Sequence, residues 1–231
     1  VLARFGYIAE GLYESEEEIK ERNITQFGET YPGQLVKPGD IKYKDLNGDG
    51  HIDEYDMCKI GRGDVPKYYY GFGGDFRYKN IGVGILFQGT AGADRVMEGS
   101  GIRPFTSSTG GGTLYANITD RWSKDDPSND NVFYPRLAWS SADPSNINNF
   151  QTSTWWQKDM SFLRLKQFTV SYYFPKAWTK KSFLSGGRFY IMGSNVLTFS
   201  KFKLWDPELN TNNGISYPNV SSYTIGVAIN L

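Results

Sequence analysis

The chain of 231 residues is poor in the groups on which most catalytic sites depend. It has one cysteine, Cys58, and one histidine, His51. A single cysteine excludes an internal disulfide, and two such residues cannot supply a zinc cluster or the free histidine base of a serine or cysteine hydrolase. Paired carboxylates of the glycosidase kind are not excluded by counting, but the acidic residues concentrate in loops. The sequence therefore predicts that the protein is not an enzyme.

An excess of charge and a long apolar run are also absent. The 25 basic residues equal the 25 acidic residues in number, so the formal net charge is zero. Nucleic-acid binding requires a basic surface, and we exclude it as a function. No run approaches the roughly 18 apolar residues of a transmembrane helix, whereas a transmembrane strand needs only about 9–11 alternating residues. The sequence begins at Val1, without a Met and without a charged and then apolar leader, so we expect a processed chain or a piece of a longer one.

Aromatic residues and glycine are abundant, at 16% and 26 residues respectively, which favours strands and turns. Apolar residues alternate with small or polar residues in five runs. These runs are Tyr68–Tyr78, Ile81–Phe87, Phe168–Phe174, Phe189–Phe199 and Tyr223–Leu231. The first two are separated by Lys79 and Asn80 alone, so we predict that they form a hairpin. The fourth is irregular, because Met192 and Val196 fall on the opposite side from its other apolar residues.

Alternation of this kind is compatible with two architectures. In a soluble sandwich the apolar faces meet in a core, and in an outer-membrane barrel they face lipid. Connection lengths favour the barrel, with short turns at one rim and long loops at the other. The short connections are Lys79–Asn80 and Pro175–Gly187, and the long ones are Glu10–Val65, Thr90–Met160 and Lys201–Val220. The second hypothesis is a soluble, calcium-stabilised β-sandwich that serves as a binding or adhesion module.

The barrel hypothesis predicts which side chains face lipid or detergent. They are the apolar members of the three clearest runs: Tyr68, Tyr70, Phe72, Phe76, Ile81, Val83, Ile85, Phe87, Tyr223, Ile225, Val227 and Ile229. The six tryptophans lie mostly in or beside the long connections, where a membrane-interface girdle or loop packing explains them better than sugar stacking does. Segment 106–113 is low in complexity, which indicates a mobile loop.

The acidic segment Asp45–Asp56 has the ligand spacing of a calcium loop. Oxygen-bearing side chains stand at its first, third, fifth, ninth and twelfth positions around a glycine at the sixth. A hard dication prefers six to eight oxygens at about 2.3–2.6 Å. The predicted ligands are Asp45, Asn47, Asp49, the backbone carbonyl of His51, Asp53 and Asp56.

The segment is half of an EF-hand at most, because Pro38 and Gly39 oppose the helix that would enter it. We expect Asp53 to cap a short helical turn through Met57 and Cys58 that ends near Gly61. The alternative is an Asp- and Asn-rich turn that binds no metal. Upstream, the charged run Glu14–Glu21 predicts a short solvated helix capped by Ser15.

Several motifs, in this order along the chain, resemble a known family. They include Pro38–Tyr43, Asp45–Asp56, Phe87–Gly89, Phe162–Lys166, Tyr173–Pro175, Asn195–Phe199 and Asp206–Glu208. Together they resemble the C-terminal part of SusC/RagA-like TonB-dependent outer-membrane transporters. These proteins import glycans or peptides together with a surface lipoprotein of the SusD type.

The resemblance implies an all-β fold: a partial antiparallel transmembrane β-barrel, with about six C-terminal strands of a larger plugged barrel of about 22 strands. Residues 1–231 would form one segment of that barrel, including the calcium-type loop at 45–56. The long loops would be extracellular and the wall would contact outer-membrane lipid. The implied partners are a SusD-like lipoprotein, an oligosaccharide or peptide ligand, and TonB, which would bind a missing N-terminal part.

Overall fold

The computed structural model describes residues 4–28, 36–105, 116–139, 143–180 and 183–231. The low-complexity segment 106–113 lies outside them. Strands in chain order are β1 Arg4–Gly6, β2 Ala9–Leu12, β3 Thr25–Gln26, β4 Ile41–Tyr43, β5 His51–Ile52, β6 Cys58–Ile60, β7 Tyr68–Tyr78, β8 Ile81–Ala91, β9 Asp94–Val96, β10 Gln157–Asp159, β11 Phe162–Tyr173, β12 Gly186–Ser200 and β13 Ser222–Asn230. The α-helices are α1 Glu16–Arg22, α2 Pro144–Asn149 and α3 Lys176–Thr179, and Glu54–Asp56 and Ala116–Thr119 form 3-10 turns.

Two compact units are present. The loop unit comprises Val1–Asp64, Asp94–Lys158 and Thr211–Ile215, and the sheet unit comprises Val65–Ala93, Asp159–Asn210 and Ser216–Leu231. The sheet unit is built on five long strands in the order β13-β12-β11-β8-β7. Every neighbouring pair is antiparallel. The described part of this unit is therefore an antiparallel meander with β7 and β13 at its two edges.

The predicted hairpin is confirmed. Tyr78 pairs with Ile81 across a two-residue turn, and Lys79 adopts a positive φ of 53° there, a conformation that tight hairpin turns require. Both short connections join strands at one end of the sheet, and both long connections join strands at its other end. This is the alternation that the connection lengths predicted.

The sheet has five strands within the described residues, whereas the sequence prediction was about six. The short strands β1 to β6, which lie in the long connection before the first run, span only two to four residues each. They pair with one another in two-stranded sheets and not with the meander. Each of the five alternating runs of the sequence thus forms one long strand, and the described residues contribute no sixth strand to this sheet.

The fourth run contains a bulge. The pairing of β11 with β12 shifts between Leu165 and Gln167, whose partners are Leu197 and Ser194. Asn195, one of the two inserted residues of β12, has a positive φ of 53°. The single extra residue of β11, Lys166, shifts the side-chain alternation of that strand, whereas the two extra residues of β12 leave its alternation unchanged. Leu197 therefore lies on the same face as Ile191, as the alternation of the run predicts, and Met192 lies on the opposite face.

The loop unit is held by a small aromatic core. The rings of Tyr7, Phe27 and Tyr43 lie 5.1–5.5 Å apart and pack in a buried cluster with Leu12, Ile41, Ile52 and Trp122. The same unit contains the two-stranded pairings β1-β6, β2-β4 and β3-β5. The predicted helix is present as α1: the Ser15 side chain accepts from Glu18 N–H, and the helix buries no residue.

A buried carboxylate organises the same unit. Asp40 accepts hydrogen bonds from Lys37 N–H, Arg136 Nε, Ser145 Oγ and Asn149 Nδ2, all between 2.9 and 3.1 Å. Burial raises the pKa of Asp40, and the Arg136 guanidinium opposes that rise. The donors come from two distant segments, so this network fixes α2 against the strand that follows Asp40. None of the described helices has the length and apolar character needed to cross a membrane.

Candidate functional site

One face of the five-stranded sheet is apolar from edge to edge. The register places Phe76, Val83, Val170, Ile191 and Ile225 in one row across the strands β7, β8, β11, β12 and β13. All five side chains are exposed, and the exposed fraction reaches 82% for Ile225. Burying such side chains is favourable by about 25 cal/mol per Å², so a continuous exposed row indicates a surface that meets an apolar solvent or partner.

The predicted lipid-facing residues all lie on this face, which we call the apolar face. Eleven of the twelve are exposed. The exception is Phe87, which is partly covered because its ring stacks on Phe72 at 5.2 Å. A soluble sandwich would bury this face against a second sheet, and in the described residues it is open. This observation contradicts the sandwich hypothesis.

Four further residues lie on the apolar face outside the predicted lipid-facing set. They are Leu163, Leu165, Leu197 and Phe199, which share cross-strand rows with Gly89 and Phe87 of β8. Leu197 and Phe199 continue the alternation of the fourth run, whereas the bulge after Leu165 breaks the period of two in β11, so no alternation linked Leu163 and Leu165 to Phe168. The register signal exists only when the neighbouring strands are known.

The opposite face is mostly polar or small, and Tyr69 and Leu86 are its exposed large exceptions. It carries Asp75 and Arg77 on β7, and Gln167 and Thr169 on β11, together with several glycines. The Arg77 guanidinium lies 3.8 Å from the Tyr173 ring centroid, within cation–π range. A Cβ on Gly84 would come within 2.5 Å of Asp75 Oδ1, so glycine there leaves room for the carboxylate. The two faces therefore suit solvents of different polarity.

A buried arginine anchors the connection between β12 and β13. Arg164, which is 1% exposed, lies on the polar face of β11. It forms an ion pair with Asp206, and its Nη1 lies 3.0 Å from Glu208 Oε2. Glu208 also accepts from Asn219 Nδ2 at 3.1 Å. The sequence motifs contain these residues, but only the fold brings them together.

The acidic loop is closed by its own carboxylates. Asp45 accepts from Gly48 and Gly50 N–H at 2.6 and 2.8 Å, and these bonds, led by the one from Gly50, lower the pKa of Asp45. Asn47 donates to Asp49 Oδ2, and Asp49 Oδ1 accepts from His51 N–H. Positive φ angles at Gly48 and Gly50, with open space around both, allow the tight turn.

The last two predicted ligands brace the end of the loop. Asp53 caps the 3-10 turn by accepting from Tyr55 N–H at 2.8 Å. Asp56 is fully buried, and its two oxygens accept from Leu46 N–H at 2.7 Å and from Asp53 N–H at 3.0 Å. The capped turn ends at Met57, earlier than predicted, because Cys58–Ile60 pairs with β1 as strand β6. That partner is remote in sequence and left no local signal.

The oxygen atoms of this loop are of the kind that calcium binds. Asp45, Asn47, Asp49 and Asp53 remain exposed or only partly buried, and carboxylate and carbonyl oxygens are what calcium prefers. Among the described residues, no group of three or more His, Cys, Asp and Glu side chains stands where it could hold a metal. In this structure the loop oxygens accept hydrogen bonds mostly from backbone N–H groups, and Asp49 also accepts from the Asn47 side chain.

An antiparallel meander with an exposed apolar face, a mostly polar opposite face and long connections at one end is typical of a segment of a membrane-barrel wall. Known proteins agree with this class. The chain is 30% identical to TonB-dependent receptor P3 and 29% identical to TonB-dependent receptor P26, both from Formosa agariphila. These matches cover 96% and 95% of this chain and 21% of each receptor. No protein-family model matches the chain.

Solved structures show the same fold. The RagAB peptide importer in its open-open state aligns with 99% of this chain and 22% of its own, with a TM-score of 0.67 and 21% identity. Another structure, of the RagAB peptide transporter, aligns with 98% of this chain at the same TM-score and identity. The chain thus resembles part of a SusC/RagA-like TonB-dependent receptor, and the resemblance recognised in its sequence is confirmed. It spans about a fifth of the length of these relatives, which are receptors and transporters and not enzymes.

Proposed function

We propose that this chain forms part of the barrel wall and the extracellular loops of a TonB-dependent importer in the bacterial outer membrane. The observation that supports this proposal most strongly is the apolar face, which is exposed on all five strands and lies opposite a mostly polar face. A lipid bilayer supplies the apolar solvent that this face requires, and missing strands would pair with the free edges of β7 and β13. An unpaired edge otherwise invites aggregation.

The cargo proposed for the whole importer is an oligopeptide, and an oligosaccharide is the second candidate. The structural relatives are described as a peptide importer, which supports the first choice. By the same resemblance, a SusD-like surface lipoprotein would bind on the extracellular side, and TonB would engage a part of the receptor outside this chain. Uptake of labelled peptide and labelled oligosaccharide by cells with and without the receptor distinguishes the two cargoes.

Spin labelling tests the membrane position of the sheet. In the full-length receptor carrying Cys58→Ser, single labels are placed by Ile225→Cys and, as a matched control one residue away, by Thr224→Cys. After reconstitution in lipid, the label at 225 should be relaxed by dissolved oxygen and shielded from a water-soluble nickel complex. The label at 224, on the polar face, should be relaxed less by oxygen and more by the nickel complex. Equal accessibility at both positions would refute the wall assignment.

We also propose that calcium binds the loop Asp45–Asp56 and orders it without taking part in chemistry. Closely spaced carboxylates repel one another unless a dication or hydrogen bonds neutralise them. Calcium would use Asp45, Asn47, Asp49, the His51 carbonyl and Asp53, while Asp56 keeps the loop closed. An ordered loop on the extracellular side would brace a surface for the lipoprotein or the incoming ligand.

A further inference from the structure

A cavity of about 640 Å³ lies in the loop unit beside α2. Its walls include Ser100, Arg103, Pro104, Phe105, Phe150 and Gln151. The volume falls in the range of about 300–1,000 Å³ that is typical of small-molecule sites. None of these residues belongs to the apolar face or to the acidic loop, so the cavity is a separate feature.

The arginine in this cavity is held in a fixed position. Arg103 Nη2 donates to the Phe150 carbonyl at 2.7 Å, and its guanidinium carbon lies 5.3 Å from the Phe150 ring centroid. That ring stacks on Trp156 at 5.3 Å, and Trp156 is buried. The backbone N–H of Arg103 also donates a hydrogen bond to the Gly99 carbonyl at 2.9 Å. A side chain fixed in this way loses little entropy when it binds a ligand.

The charge of Arg103 is poorly compensated. Burial lowers the pKa of its guanidinium, and Glu98 opposes that shift. The Glu98 carboxylate, however, is itself engaged, since it lies 3.4 Å from Arg4 Nη1 and accepts from Asn212 Nδ2 at 2.7 Å. Within the described residues, no carboxylate forms an ion pair with Arg103. A planar guanidinium matches the geometry of a carboxylate.

The remaining walls add an apolar requirement. Pro104, Phe105, Ile147 and Phe150 surround the arginine with carbon surface. We propose that the cavity binds a small ligand that joins a carboxylate to an apolar group, as the C-terminal residue of a short peptide does. The choice of a peptide rests on the proposed import function, whereas the need for a carboxylate rests on Arg103 alone.

Calorimetry on the purified full-length receptor tests the proposal with three probes. They are the tripeptide Ala-Ala-Phe with a free carboxylate, the same tripeptide as its C-terminal amide, and digalacturonate. The free acid should bind more tightly than the amide. Arg103→Gln should weaken binding of the acid by about tenfold or more, because a charge-assisted hydrogen bond is lost, and should leave the amide unchanged. Arg103→Lys should be intermediate, since it keeps the charge and loses the planar fork.

Two more variants protect this test from a folding artefact. Ser100 is an exposed wall residue, so Ser100→Glu should fold, and its carboxylate should compete with the acid for Arg103. Arg121→Gln removes an exposed arginine of the same unit and should change nothing. Equal binding of acid and amide, or an unaltered affinity in both Arg103→Gln and Ser100→Glu, would overturn the proposal. Tighter binding of digalacturonate than of the tripeptide would overturn the proposal that the ligand carries an apolar group. Spin-label accessibility at 225 tests the wall separately.

Discussion

Arg164 on β11 and Asp206 in the connection between β12 and β13 form an ion pair in which the arginine is 1% exposed. A strand residue thus holds a loop residue that is 42 positions away. Taking an arginine out of water is costly unless a carboxylate stays beside it. The pair consequently ties the position of this connection to the sheet.

Asp206→Ala should destabilise the folded receptor by up to about 3–5 kcal/mol, because it leaves a buried charge with only Glu208 to balance it. Urea unfolding of the full-length receptor in lipid vesicles measures the loss. Glu208→Ala, which removes the more exposed partner, should cost less. The double variant Arg164→Met with Asp206→Ala should recover part of the loss, and an equal or greater loss would contradict this account.

A charge on the apolar face should oppose membrane insertion. Ile225→Arg is expected to cost about 2–4 kcal/mol if the side chain lies near the bilayer midplane. Thr224→Arg, on the other face of the same strand, should cost much less. The fraction of receptor that folds into vesicles from urea gives both values. Similar losses in the two variants would argue against lipid at this face.

Removal of calcium should loosen the acidic loop and leave the strands intact. Asp49→Ala is expected to abolish binding detected by calorimetry and to speed amide hydrogen exchange between 36 and 61. Asp125→Ala, at an exposed acidic residue of another loop, is the control and should have no effect. Absence of any calcium binding by the unmodified receptor at millimolar concentration would leave the loop as a turn closed by backbone hydrogen bonds.

The Asp40 network should govern the order of the loop unit. Asp40→Ala leaves the donors of Arg136, Ser145 and Asn149 without their acceptor, which should cost about 3–5 kcal/mol. Hydrogen exchange in β4 and α2 should rise together, since both depend on the same carboxylate. Asp130→Ala is a suitable comparison, because that residue is an exposed acidic residue of the same unit. Protection lost in one element alone would contradict a shared network.

Local patterns in the sequence were enough to predict much of the sheet. The alternation in Tyr68–Tyr78 and Tyr223–Leu231 predicted which side chains lie on the apolar face, because a strand repeats every two residues. The same rule failed in β11, where a bulge separates Leu163 and Leu165 from the alternation that begins at Phe168. The expected helical turn after Asp53 was too long for a similar reason, since pairing of Cys58–Ile60 with Arg4–Gly6 depends on a distant strand.

The sequence by itself determined the runs that become strands, the tight turn at Lys79 and Asn80, the capped helix at Ser15 and the acidic loop with its glycines. These features depend on neighbours a few residues apart. Only the tertiary structure decided that Arg164 meets Asp206, that Asp40 gathers donors from α2 and Arg136, and that Arg103 lies over Phe150 in a cavity. Each of these contacts joins segments far apart in the chain, and their pairing is set by strand register and packing, which no local pattern encodes.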